Sequence, residues 1–210
     1  MESSVPRSFI DDLVSYFDQK QEMQAAYFAF LYSSVSQTHD LFLGVEHTGD
    51  LDGIKKMSLF IKQMYLPQAP MFFASSQEDA ELFATVREQG LPFFSRQQER
   101  GIEQELLKGL FDQQRDRAEL VGAVRDQGVY ALVHKAQLEH KQLVIQSFSK
   151  DGEEFTPLFT SPDMLPLGGI GAPPAGVVLA RLVWSKHLAG AAPRPVVLNP
   201  DTAFEAKFEL

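Results

Sequence analysis

The chain has no cysteine among its 210 residues. That excludes disulfides, zinc–thiolate sites and cysteine nucleophiles, and it fits a protein expected in a reducing cytoplasm. Long apolar runs are missing too. The nearest, Gly168 to Trp184, is broken by Pro173, Pro174 and Arg181, and none reaches the ~20 apolar residues of a membrane-spanning helix. The start, Met1-Glu2-Ser3-Ser4, lacks the basic-then-apolar pattern of a secretory signal. Basic residues are in short supply: 19 Lys and Arg face 28 Asp and Glu, a net charge of −9. An acidic body repels phosphate backbones, so nucleic acid is not an expected partner, and neither is a membrane. A basic protein partner fits, because complementary charge speeds encounter.

Chemical signatures are equally sparse. The five histidines, His39, His47, His134, His140 and His187, form neither His-x-x-x-His nor His-Glu-x-x-His. His134 and His140 stand six apart across an expected turn, too little for a metal site. No serine sits in a Gly-x-Ser-x-Gly elbow. Leu167-Gly168-Gly169-Ile170-Gly171 lacks the Lys-Ser/Thr of a phosphate loop, and prolines follow where a helix should start. The acidic pairs Asp11-Asp12, Asp50/Asp52 and Glu78-Asp79 fall at expected helix starts, where carboxylates favour the positive helix end. The reading is therefore a non-enzymatic protein with no cofactor and no metal.

What is present is a succession of short elements. Pro6 opens a helix whose stripe is Ile10, Leu13, Val14 and Phe17. Strands Ala25–Tyr32 and Asp40–Glu46 follow as a hairpin. A second helix carries the stripe Ile54, Met57, Phe60, Ile61 and Met64 and stops at Pro67. Pro70–Ala74 reads as a buried strand. A third helix, capped by Ser76 with Asp79 in its first turn, ends at Gly90. Leu91–Arg96 closes this unit. Two short helices then break around Gln113–Arg117, and Gly128 ends the second. Val129–His134 and Gln142–Phe148 read as another hairpin, Lys150–Glu153 as an Asp-Gly turn, and Phe155–Phe159 as a strand. A short helix or turn at Ser161–Asp163, a loop over Gly168–Pro174, and strands at Pro195–Leu198 and Phe204–Phe208 complete the chain. The 17 phenylalanines are expected to fill cores. The fold class is α+β: two compact domains, residues 1–96 and 97–210, each a small mixed or antiparallel sheet covered by helices.

Several segments carry a family resemblance. Ile102–Leu107, Val129-Tyr130-Ala131-Leu132-Val133, Phe155-Thr156-Pro157-Leu158-Phe159-Thr160-Ser161 and Val197-Leu198-Asn199-Pro200 resemble the N-terminal domain of the SseB (enhanced serine sensitivity) family. Ala25-Ala26-Tyr27, Leu41-Phe42-Leu43-Gly44-Val45-Glu46 and Gly90-Leu91-Pro92-Phe93-Phe94 resemble its C-terminal domain. The domain order is reversed relative to the family, and Asp201 stands where Gly usually follows Asn-Pro. The resemblance implies two α+β domains in a bacterial cytoplasmic protein and supplies no catalytic residue. It suits, by analogy of fold, adaptors and toxin-neutralising proteins.

The candidate protein-binding residues are the turn Asn199, Pro200 and Asp201, the acidic turn residues Asp151, Glu153 and Glu154, and Trp184 beside Lys186 and His187 as an interface anchor. The expected function is protein binding, most sharply as an immunity protein that occludes a cognate, basic secreted toxin. The alternative is a small-molecule-sensing regulator or adaptor in amino-acid or sulfur metabolism, which needs a concave pocket with convergent polar groups. Oligomeric state is left open.

Overall fold

The computed structural model describes residues 8–34, 37–112, 117–140, 142–187 and 195–209. Pro6, the expected helix opener, and residues 113–116 of the expected helix break lie outside the described residues. The chain forms two compact units, Met1–Arg115 and Asp116–Leu210, each an α+β unit with its own sheet.

The first unit begins with α1 (Phe9–Asp18), which buries Ile10, Leu13 and Phe17. Its start is set by a capping box: the Asp11 N–H donates to Ser8 Oγ at 3.0 Å and the Ser8 N–H to Asp11 Oδ2 at 3.2 Å. β1 (Met23–Ser33) and β2 (Thr38–His47) pair antiparallel. After α2 (Leu51–Tyr65), β3 (Met71–Ser75) lies parallel to β2. α3 (Ala80–Gln89) leads to β4 (Leu91–Ser95), antiparallel to β1, which gives the sheet order β3-β2-β1-β4. One face, carrying Ala29 and Ala74, packs on Phe83 and Val86 of α3. Strand alternation sends Phe28 to the other face, where it stacks on Phe93 at 4.7 Å and meets Phe9 at 5.8 Å and Phe111 at 5.4 Å.

Phe111 ends α4 (Gly101–Phe111), so this helix belongs to the first unit. Gln104 Nε2 donates to the Phe93 carbonyl at 2.9 Å, and Lys108 Nζ contacts Asp11 at 2.6 Å and Glu105 at 2.7 Å. The division thus falls after Arg115 and not at the expected Arg96–Arg100. The reason is that Ile102, Leu106 and Leu107 are buried on one face of α4, and a helix goes where its apolar stripe is covered.

Two local expectations need correction, and a third holds for a different reason. In α2 the buried residues are Ile54, Ser58, Ile61 and Lys62, whereas Met57, Phe60 and Met64 are exposed. The helix buries the Ile54–Ile61 edge of its apolar arc and leaves the Met57, Phe60 and Met64 side exposed. The cap of α3 is Asp79, whose Oδ1 accepts the Leu82 N–H at 3.0 Å, and not Ser76. Gly90 is the C-cap of α3 as expected, though at an ordinary φ of −97°. Glycine is needed there for closeness, because a Cβ would stand 2.3 Å from the Val86 carbonyl and 2.9 Å from that of Phe28.

The second unit opens with α5 (Ala118–Asp126), β5 (Gly128–His134) and α6 (Lys135–Glu139). β6 (Phe148–Lys150) and β7 (Glu153–Phe159) form a hairpin, followed by α7 (Met164–Leu167), β8 (Val177–Val183), α8 (Trp184–His187), β9 (Pro195–Leu198) and β10 (Ala206–Glu209). The sheet order is β10-β9-β7-β5-β8, with β7 and β9 parallel and the other pairs antiparallel. The expected strand Gln142–Phe148 shrinks to an isolated bridge between Val133 and Ile145, with only 148–150 in a strand. β8 takes the whole length of β5 on one side and β7 takes part of the other, so little edge is left for it. Among the described residues no helix is long and apolar enough to cross a membrane.

Candidate functional site

Lys150-Asp151-Gly152-Glu153 turns tightly from β6 into β7. Asp151 at φ 54° and Gly152 at φ 84° both adopt left-handed backbone, the conformation that an Asp-Gly pair supplies in a two-residue hairpin. The register places Lys150 opposite Glu153. β7 then runs parallel to β9, with Thr156 opposite Val196 and Leu158 opposite Leu198.

β9 ends in the turn Asn199-Pro200-Asp201, in which Asn199 (φ 50°) and Asp201 (φ 59°) are again left-handed. Asn and Asp accept this backbone more readily than other non-glycine residues. Asn199 is fully buried. Its N–H donates to the Leu158 carbonyl at 2.8 Å, and its Oδ1 accepts the Thr160 N–H at 3.0 Å. The Asp201 N–H donates to Glu205 Oε2 at 2.8 Å. Gly168 lies beneath: a Cβ there would be 2.4 Å from the Pro200 carbonyl. β10 returns antiparallel to β9, with Lys207 opposite Val197 and Glu209 opposite Pro195.

These segments enclose a groove of about 900 Å³ on the second unit. Its base is apolar, with Phe155, Val197 and Pro200 buried and Phe208 half-buried. Exposed carboxylates ring it: Asp151, Glu153 and Glu154 from the hairpin, Asp201 and Glu205 from the turn and loop, and Glu209 from β10. The two lysines of the groove, Lys150 and Lys207, each reach a carboxylate across it, Asp201 and Glu153 respectively. The hydrogen bond to Asp201 raises the Lys150 ammonium above its ordinary range, and that from Lys207 lowers the Glu153 carboxyl. Six carboxylates against two ammonium groups leave the groove strongly negative over an apolar base. Such a surface attracts cationic groups at long range and rewards an apolar contact at short range.

Of the expected site residues, Asp151, Glu153, Glu154, Pro200 and Asp201 line this groove. Asn199 does not, since its side chain holds the turn from inside. Trp184 lies elsewhere, 7 % exposed in α8 beside α5, and presents little surface to a partner. Sequence reasoning missed Lys150, Glu205, Lys207 and Glu209. The last three alternate along the chain with buried Phe204 and Ala206, and a period-2 reading of 204–209 places all three on one face. Among the described residues no group of three His, Cys, Asp or Glu side chains is placed to hold a metal ion.

The model of the SseB protein N-terminal domain matches residues 104–209, which begins within α4 and runs through the groove. No curated protein and no solved structure matches the chain.

Proposed function

The chain belongs to the SseB family, and from that premise we propose that it is a non-enzymatic protein-binding protein whose acidic groove docks a basic partner. The observation that carries this reading is the ring of six exposed carboxylates over an apolar base, inside the part of the chain that the family model covers. Apolar area supplies affinity and the charged rim supplies encounter rate and specificity. In its sharper form the protein is an immunity protein, and the partner is a cognate basic toxin whose active site it occludes. The first unit is read as the family's C-terminal-type domain placed ahead of the N-terminal type. On this reading the protein works in the cytoplasm, where a toxin would be neutralised, and a chain without cysteine is compatible with that compartment.

The test is an affinity capture from the native host with tagged protein at low and moderate salt, followed by mass spectrometry. One stoichiometric, salt-sensitive basic partner is expected, and its loss is expected on replacing Glu154 and Glu205 by glutamine. Capture that is indifferent to both salt and these substitutions contradicts the groove reading. If nothing is captured and free amino acids raise the melting temperature, the small-molecule reading replaces it, because a ligand stabilises the state that it binds.

A further inference from the structure

Resting on the protein-binding reading, we infer that Lys150 and Lys207 are built-in place-holders, and that the groove's occupant is an arginine- or lysine-bearing segment of another protein that takes over Asp201 and Glu153. Each lysine reaches a carboxylate on another segment of the groove, Lys150 from the hairpin turn to Asp201 and Lys207 from β10 to Glu153. Both pairs are open: the side chains of Lys150 and Asp201 are each 54 % exposed, and those of Lys207 and Glu153 are 56 % and 72 % exposed. Exposed pairs of this kind contribute little to stability and exchange partners readily. They border the apolar base, where Val197 lies directly opposite Lys207 in the strand register and Phe155 follows Glu153 by two on the same face of β7. A guanidinium or ammonium that arrives with an aliphatic neighbour therefore gains a carboxylate and meets the apolar groove residues that retain surface, the exposed Pro195 and the half-buried Phe208.

The charge balance fixes the sign of the occupant. Removing the two lysines leaves six carboxylates along the rim, Asp151, Glu154, Glu205 and Glu209 besides the two that the lysines hold. An acidic segment would have to keep both lysines while displacing their carboxylates against that field. A basic segment only exchanges one cation for another.

The experiment measures fluorescence anisotropy of a synthetic peptide of alternating arginine and leucine, with a glutamate–leucine peptide as counterpart, at low and moderate salt. The proteins compared are wild type, Lys150→Gln, Lys207→Gln, Asp201→Asn, the pair Glu154→Gln with Glu205→Gln, and Glu81→Gln, which removes an exposed carboxylate from α3. Lys150→Gln and Lys207→Gln are expected to tighten the arginine–leucine peptide by about two- to fivefold each, the scale of one exposed ion pair. Asp201→Asn should weaken it, and Glu81→Gln should leave it unchanged. Thermal melts of all variants establish that they fold. If the lysine variants weaken the peptide or leave it unchanged, the place-holder inference is overturned while the groove reading stands; if the glutamate–leucine peptide binds better, both are overturned. If Glu154→Gln with Glu205→Gln has no effect on a peptide that wild type binds, or if wild type does not bind it, the groove reading itself falls and this inference with it.

Discussion

Replacing Asn199 separates a backbone requirement from a hydrogen bond in the turn that positions Pro200 and Asp201. Its side chain is fully buried, and Oδ1 accepts the Thr160 N–H at 3.0 Å. Truncation to alanine strands that buried donor, which costs about 1–3 kcal/mol. The residue also sits at φ 50°, where an alanine Cβ crowds the following carbonyl by about 1–2 kcal/mol. Asn199→Ala should therefore lose about 2–5 kcal/mol, whereas Asn199→Gly, free of the steric penalty, should lose only the hydrogen-bond share of about 1–3 kcal/mol. The assay is urea unfolding followed by the fluorescence of Trp184, the only tryptophan and part of the second unit. An alanine variant within about 0.5 kcal/mol of wild type, or a glycine variant less stable than the alanine one, refutes the reasoning.

Other sites give equally definite expectations. Arg96 donates from Nη2 to the carbonyls of Phe17, Asp18 and Lys20, from Nε to that of Met23, and from Nη1 to Asp18, and its guanidinium lies 5.4 Å from the Phe94 ring centroid. Arg96→Ala should cost about 2–3 kcal/mol in urea unfolding of the first unit, followed by backbone circular dichroism because Trp184 lies in the second, and Arg96→Lys should not restore it, because an ammonium cannot reproduce the planar fork. Gly90→Ala should cost about 1–3 kcal/mol in the same assay, as the new methyl must push backbone aside. Burial raises the Glu103 carboxyl above its ordinary 4.5, with Arg100 offsetting only part of it. The folded state then holds this proton more tightly than the unfolded one, so the contribution is complete below the unfolded value and is lost as pH rises through the raised folded value. Urea midpoints of wild type minus Glu103→Gln across that window should fall with rising pH, and a flat difference would contradict the assignment.

Periodicity exposed the elements more readily than their orientation. Ile10, Leu13 and Phe17 mark α1 and are all buried, because one helix with one apolar stripe has one way to pack. In α2 the apolar arc is wider than the surface that covers it, so Ser58 and Lys62 go inward and Met57, Phe60 and Met64 stay out. No local rule chooses between adjacent faces of such a helix. Ser76 and Asp79 are both competent caps, and the choice depends on where β3 releases the chain: Ser75 Oγ accepts the Gln77 N–H and keeps that segment out of the helix. The expected strand Gln142–Phe148 depended in the same way on its neighbours. With β7 and β8 flanking β5, that segment keeps only the bridge at Ile145 and the start of β6. The acidic turn and the Asn-Pro-Asp turn were legible as turns from Asp151, Gly152, Asn199 and Pro200. Their convergence was not, because they lie far apart in the chain and are brought together by the parallel pairing of β7 with β9.

The central claim, that the groove docks a basic protein, is tested most directly by hydrogen exchange of the captured complex against the free protein. Protection concentrated in residues 150–155 and 200–209, and reduced by moderate salt, is the predicted result. Protection that leaves both segments unchanged and falls instead on the exposed apolar side of α2, at Met57, Phe60 and Met64, would contradict it.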